Sequence, residues 1–182
     1  KNQTALNFLT DKINSSTNKD DIRFFRGKIL LQLGYRLSAL EDFAILNQKG
    51  YQDSELFLVL GRIKNENREY KDALYFFKKA TETDEEDQQS WFERAQAEFF
   101  LNQHQDALES IQEALSLDPK NIDYRKLIAQ IYYIFGENEK TETALQSIIK
   151  EYENELWGFK ELVNFYLKQN SPTKAIEVIE RA

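Results

Sequence analysis

Small and large apolar residues recur along this chain at a fixed interval of 34. Stepping by 34 from Ala107 meets Ala73, Ala39 and Ala5 in one direction and Thr141 and Ala175 in the other. The same steps from Ile111 give Phe77, Phe43 and Leu9, then Leu145 and Ile179. From Ala95 they give Gly61, Gly27, Ala129 and Val163. No gap interrupts these columns, so the chain repeats one supersecondary unit per period. In "HQDALESIQEALSLDPKN", residues 104–121, the apolar positions follow a helical period and Asp118-Pro119 closes the run. We read it as the second, or B, helix of a two-helix unit. Gly34 and Gly136 stand where first, or A, helices end, and there glycine takes a positive φ at little cost. Small residues at two columns let the paired backbones approach, and the large residues of the third fill the groove beside them.

Composition narrows the picture further. With 182 residues, 41% apolar and 30% charged, the chain is long and apolar enough for one well-packed domain. Only 6 Gly and 2 Pro are present, which favours helices over turn-rich β architectures. The formal charge of −7 argues against nucleic acid as the partner, since phosphate recognition needs clustered cations. No apolar run is long enough to span a bilayer, so no direct membrane insertion is expected. The absence of a targeting segment leans toward the cytoplasm without assigning a compartment. Methionine is absent even at position 1, so we expect a processed product or an excised fragment of a longer array.

In combination these columns resemble the tetratricopeptide-repeat family. Residues 88–121 carry Trp91, Ala95, Ala107, Ile111, Ala114 and Pro119 at positions 4, 8, 20, 24, 27 and 32 of that family's repeat. Residues 54–87 carry Phe57, Gly61, Ala73, Phe77 and Ala80. The match departs at position 11, tyrosine only in Tyr132 and Tyr166, and at position 7, where Arg26 and Arg94 replace the usual leucine. The resemblance implies an all-α fold, helical hairpins stacked into a right-handed superhelical solenoid. It would form a single domain: a leading half-repeat, 1–19, then repeats 20–53, 54–87, 88–121, 122–155 and 156–182. The opening B helix is expected at roughly residues 3–14.

The resemblance places function on the concave wall formed by the A helices. Its columns nominate Phe24, Leu58, Phe92, Lys126 and Lys160 at position 5, and Lys28, Arg62, Gln96, Gln130 and Asn164 at position 9. Phe99 and Tyr133 at position 12 and Trp157 at position 2 complete the set. Amide side chains along such a groove pair with an extended peptide backbone, and aromatics supply anchor area. The expected partner is a protein or peptide segment with an apolar anchor over Phe99–Tyr133 and acidic residues reaching the basic ends. The alternative is a structural subunit that uses its convex face or array ends. Lys160 and Asn164 match the first pair of the family's carboxylate clamp for chaperone C-termini. Phe24 with Lys28, Leu58 with Arg62 and Phe92 with Gln96 fail at the first position, so no complete clamp is expected within residues 1–182.

Catalysis is not expected. His104 is the only histidine and cysteine is absent, which removes His/Cys metal sites. No phosphate loop or nucleophile elbow occurs, and no cofactor is implied. His104 reads as an exposed turn residue whose truncation costs no more than about 0.5 kcal/mol. The acids of "TDEEDQQS", 83–90, read as a solvated loop that favours the next helix N-terminus. Lys64, Arg94 and Glu98 occupy packing positions and form either an ion network or long stems reaching water. "NQT" at 2 and "NSS" at 14 match glycosylation acceptors, which matter only in a secreted protein.

Overall fold

The computed structural model describes residues 2–152 and 155–182, with the side chains of Asn2, Gln3 and Ala5 excepted. The side chains of the column member Ala5 and the acceptor Asn2 therefore lie outside the description. Among those residues every regular element is an α-helix. α1 (Asn2–Ser15) leads, followed by α2 (Lys19–Gln32), α3 (Arg36–Gln48), α4 (Ser54–Glu66), α5 (Tyr70–Thr83) and α6 (Gln88–Phe100). Then come α7 (His104–Leu117), α8 (Ile122–Ile134), α9 (Asn138–Glu151), α10 (Leu156–Lys168) and α11 (Pro172–Arg181). The pairs α2/α3, α4/α5, α6/α7, α8/α9 and α10/α11 pack as hairpins; α5 packs on α6, α7 on α8 and α9 on α10, and a shared apolar cluster that includes Phe43, Leu46, Leu56 and Leu60 joins the first hairpin to the second. Even-numbered helices also meet across the stack, α4 with α6 and α6 with α8.

Each hairpin turn is built the same way, and the sequence shows why. The turn residues Gly34, Arg68, Asn102, Gly136 and Asn170 stand 34 apart, and all adopt positive φ, from 51° to 81°. At each turn the left-handed residue bonds back three residues, and the following residue bonds back five. Gly34 N–H donates to Leu31 O at 3.0 Å and Tyr35 N–H to Leu30 O at 2.9 Å. Asn102 and Gln103 repeat this with Phe99 and Glu98. This Schellman closure satisfies the orphan carbonyls of each A helix and reverses the chain. Glycine and asparagine suit it, whereas Arg68 adopts it against a steric cost of about 1–2 kcal/mol. From α4 onward a polar residue caps each A helix. Asp53 accepts from Leu56 N–H at 2.8 Å, Asp87 from Gln89 N–H at 3.1 Å, Asn121 from Asp123 N–H at 3.0 Å and Glu155 from Trp157 N–H at 3.2 Å. Asp87 belongs to the acidic loop, which thus acts as a helix start.

The core runs between the paired helices. Ala39, Ala73 and Ala107 are fully buried, as are Phe43, Phe77 and Ile111. The columns match in size across each hairpin. A Cβ on Gly27 would lie 2.4 Å from the Phe43 ring, and one on Gly61 2.4 Å from the Phe77 ring. In the next two hairpins Ala95 and Ala129 stand at that column, with Ile111 and Leu145 in place of the phenylalanines. The large column breaks at α11, where Ile179 is 60% exposed and fills no groove. Within α6 lies an ion pair whose acid is buried. Glu98 is fully buried, meets Arg94 Nε at 2.9 Å and accepts from Ser110 Oγ at 2.7 Å. Arg94 also reaches Thr81 Oγ1 at 3.3 Å. Lys64 stands apart from this network and pairs with Glu69 at 2.5 Å and Asp72 at 3.6 Å.

Candidate functional site

The even-numbered helices present the side chains that the 34-residue frame assigns to the groove, but they present them unequally. Phe24 and Leu58 are core residues, not groove contacts, at 6% and 7% exposure. Phe24 lies against Phe43 and Tyr51, with ring centroids 6.1 and 6.2 Å away, so its own hairpin and the loop that follows already cover it. Phe92 is half-buried and packs on Tyr124 at 4.9 Å. The expected basic end is also engaged. Lys28 meets Glu55 at 2.5 Å, and Arg62 meets Glu93 at 2.8 Å. Both pairs bridge one A helix to the next, so an acidic segment there would compete with carboxylates already in place. Lys126 likewise pairs with Glu155 at 3.3 Å and Asp123 at 3.8 Å, and lies 5.6 Å from the Trp157 ring centre.

The C-terminal helices are different. A cleft of about 230 Å³ opens between α6, α8, α9 and α10. Five of the thirteen nominated residues line it: Phe99, Gln130, Tyr133, Trp157 and Asn164. Ile134, Phe165, Ala129 and Leu145 complete an apolar wall, and Glu161, Thr141 and Lys168 add polar groups. Tyr133 and Phe165 meet edge to face at 6.5 Å, and Phe165 is buried while Tyr133 is 39% exposed. Lys168 Nζ donates to the Tyr133 hydroxyl at 2.8 Å. That bond, with the nearby Glu161 charge, holds the lysine above its ordinary pKa. The cleft is apolar on its floor with an amide on each flank, Gln130 of α8 and Asn164 of α10. Neither amide makes a hydrogen bond within the described residues, and nor does the half-buried Gln96 one hairpin earlier. Lys160 is exposed and without an ion pair among the described residues.

Reasoning from the 5, 9 and 12 columns missed Glu161 and Lys168, which sit at positions 6 and 13 of the same frame. It also misplaced His104. The imidazole opens α7 half-buried, 5.3 Å from the Phe99 ring and 6.4 Å from the Phe135 ring, with Nδ1 buried and unpartnered. Its truncation would remove packing from the Phe99 side of the cleft, more than a free turn residue would cost.

No described helix is long and apolar enough to cross a membrane. Among the described residues, no group of His, Cys, Asp or Glu is arranged to hold a metal ion.

Comparison with known proteins agrees with this architecture. A family model described as Tetratricopeptide repeat matches residues 65–131. Protein O-mannosyl-transferase TMTC1 of Homo sapiens is 29% identical over 79 residues, which are 43% of this chain and 9% of that protein. The chain thus spans a small part of the length of the curated relative it matches. Among solved structures, YrrB, described as a TPR protein with an unusual peptide-binding site, superposes with a TM-score of 0.82 at 17% identity. That match covers 95% of this chain and 89% of the other. MamA superposes with a TM-score of 0.80 at 18% identity, over 89% of this chain and 88% of its own. MamA from Desulfovibrio magneticus RS-1 gives 0.79 at 16% identity, over 90% and 93%.

Proposed function

We propose that this tetratricopeptide-repeat protein is a non-enzymatic scaffold, and that it holds a partner's peptide segment in the groove of its A helices, chiefly in the cleft over α8 and α10. The half-repeat and five repeats of the 34-residue frame supply the rigid support. The observation that carries this reading is the pairing of an open aromatic cleft with unbonded amides at 34-residue spacing, Gln96, Gln130 and Asn164. An extended strand of peptide brings alternating N–H and C=O groups that such amides satisfy, and an apolar side chain fills the cleft. Phe99, Tyr133 and Trp157 form the anchor site, and the uncharged amides fix register. A peptide-binding site in YrrB fits this reading by analogy of fold.

A random peptide library selected against the protein tests it. Phe99→Ala or Tyr133→Ala is expected to weaken a selected peptide more than about tenfold. Lys28→Ala, which breaks an exposed pair far from the cleft, is expected to stay within about twofold. A larger loss from Lys28→Ala than from Phe99→Ala overturns the assignment. So does a peptide whose contacts map to the odd-numbered helices away from the cleft, which would favour a structural subunit working through its outer face.

A further inference from the structure

The frame that positions the groove also shows what one of its charges lacks. Arg62 of α4 and Glu93 of α6 form an ion pair at 2.8 Å across neighbouring A helices. Moving both positions along the chain by two periods of 34 gives Gln130 of α8 and Glu161 of α10. The acid is retained and the cation is replaced by a neutral amide. Glu161 accordingly makes no ion pair or hydrogen bond among the described residues, although it is half-buried and lines the cleft. Lys168 lines the same cleft but gives its hydrogen bond to Tyr133. The Glu161 oxygens still reach water and Lys168 acts on them only through the general field, so a carboxylate beside aromatic walls has no direct charged donor, and one arriving from outside gives it a charge-assisted bond. The Arg62–Glu93 pair shows the kind of side chain that fits at this place between two A helices.

We propose that the cleft takes a partner segment that sets an arginine or lysine side chain against Glu161, beside an apolar anchor that packs on Phe99, Tyr133 and Phe165. This rests on the groove reading above, and it replaces the expectation of an acidic partner at this end. The cation contributes to selectivity as well as to hold. A segment that offers an acid at that position faces the unpaired carboxylate and is disfavoured. Planar guanidinium donates two parallel bonds to one carboxylate, so arginine is preferred to lysine.

The test uses acetylated and amidated peptides of Gly and Ser with one Leu anchor. Arginine, its neutral isostere citrulline, or aspartate is placed one to three residues to either side. Binding to the full chain is followed by NMR titration. The best arginine peptide is expected to bind about fivefold more tightly than its citrulline counterpart, the size of a partly exposed charge pair. Glu161→Gln should bring the two to equality. Gln130→Arg should likewise remove the preference for arginine over citrulline, whatever it does to overall affinity, by supplying the missing cation from within, as Arg62 does. Circular dichroism confirms that the variants fold. Equal binding of arginine and citrulline peptides at the cleft of the unaltered protein overturns the inference and leaves the groove reading standing. Tightest binding of the aspartate peptide also overturns it. If no anchored peptide perturbs the cleft resonances, the groove reading itself fails, and this inference with it.

Discussion

The first two hairpins and the next two solve one packing problem with different pairs of residues. In α2/α3 and α4/α5, glycine faces phenylalanine, Gly27 against Phe43 and Gly61 against Phe77, at distances that leave no room for a Cβ. In α6/α7 and α8/α9, alanine stands at that column, with Ile111 and Leu145 in place of the rings. Each pair conserves total volume, which a close-packed interior demands. The same division appears on the A-helix face. The N-terminal helices close it with their own ion pairs, Lys28–Glu55 and Arg62–Glu93, whereas the C-terminal helices keep one such pair, Lys126–Glu155, beside amides and a cleft. One backbone frame thus carries a face closed largely by its own ion pairs and a face that keeps an open cleft.

The largest expected effect lies at the ion pair within α6. Arg94→Ala strands Glu98 in the core with Ser110 as its remaining donor, and should cost about 3–5 kcal/mol in urea denaturation. Arg62→Ala removes a pair whose arginine is 42% exposed and should cost about 1 kcal/mol or less. Equal losses would mean that burial does not distinguish the two pairs. The next effect breaks the packing contrast directly. Gly61→Ala should cost about 1–3 kcal/mol despite its better helix propensity, because the buried Phe77 ring cannot withdraw. Adding Phe77→Ile should recover part of that loss, and a double-mutant cycle with no coupling would refute the size match.

How much of this was legible in the sequence follows from what periodicity can encode. The 34-residue columns place Ala39, Ala73, Ala107, Phe43, Phe77 and Ile111 in the core, and all are there. Gly34 and Gly136 announce their turns, and Asn102 and Asn170 carry the same signal in a weaker form. Phe24 and Leu58 were misjudged because a column fixes only the direction of a side chain. Whether that direction ends in solvent depends also on neighbours outside the repeating columns, such as Tyr51 beside Phe24, whose 34-residue successors are Glu85 and Pro119. Glu161 escaped notice for a related reason. Its significance lies in the missing cation at Gln130, which shows only when two columns are compared across neighbouring units. His104 was taken for a surface residue because its aromatic neighbours, Phe99 and Phe135, come from two other helical segments.

Two smaller effects sharpen the comparison. Both halves tie a tyrosine hydroxyl to a carboxylate, Tyr51 to Asp21 and Tyr166 to Glu142, each at 2.6 Å. Burial and then the carboxylate raise both phenols, Tyr166 to about 12. A phenol raised above its unfolded value near 10 contributes stability that is complete below that pH and is lost as pH rises through the folded value. Urea midpoints should therefore fall between pH values of about 10 and 12, and Tyr166→Phe should flatten that fall. The smallest effect is a gain. Arg68→Gly relieves a left-handed arginine and should stabilise the protein by about 1 kcal/mol, whereas Gly34→Arg should cost a similar amount.

Because each helix rests mainly on its neighbours in the chain, the molecule has the mechanics of a jointed rod. Bending it distributes a small rotation over every joint, and no single contact resists. The cleft lies across the joint between the α8 and α10 hairpins, so its width changes with that one angle. A segment that bridges the two helices acts as a splint, locking one joint while the others keep their compliance. Tension applied along the rod changes the same joint angle, and with it the width of the cleft.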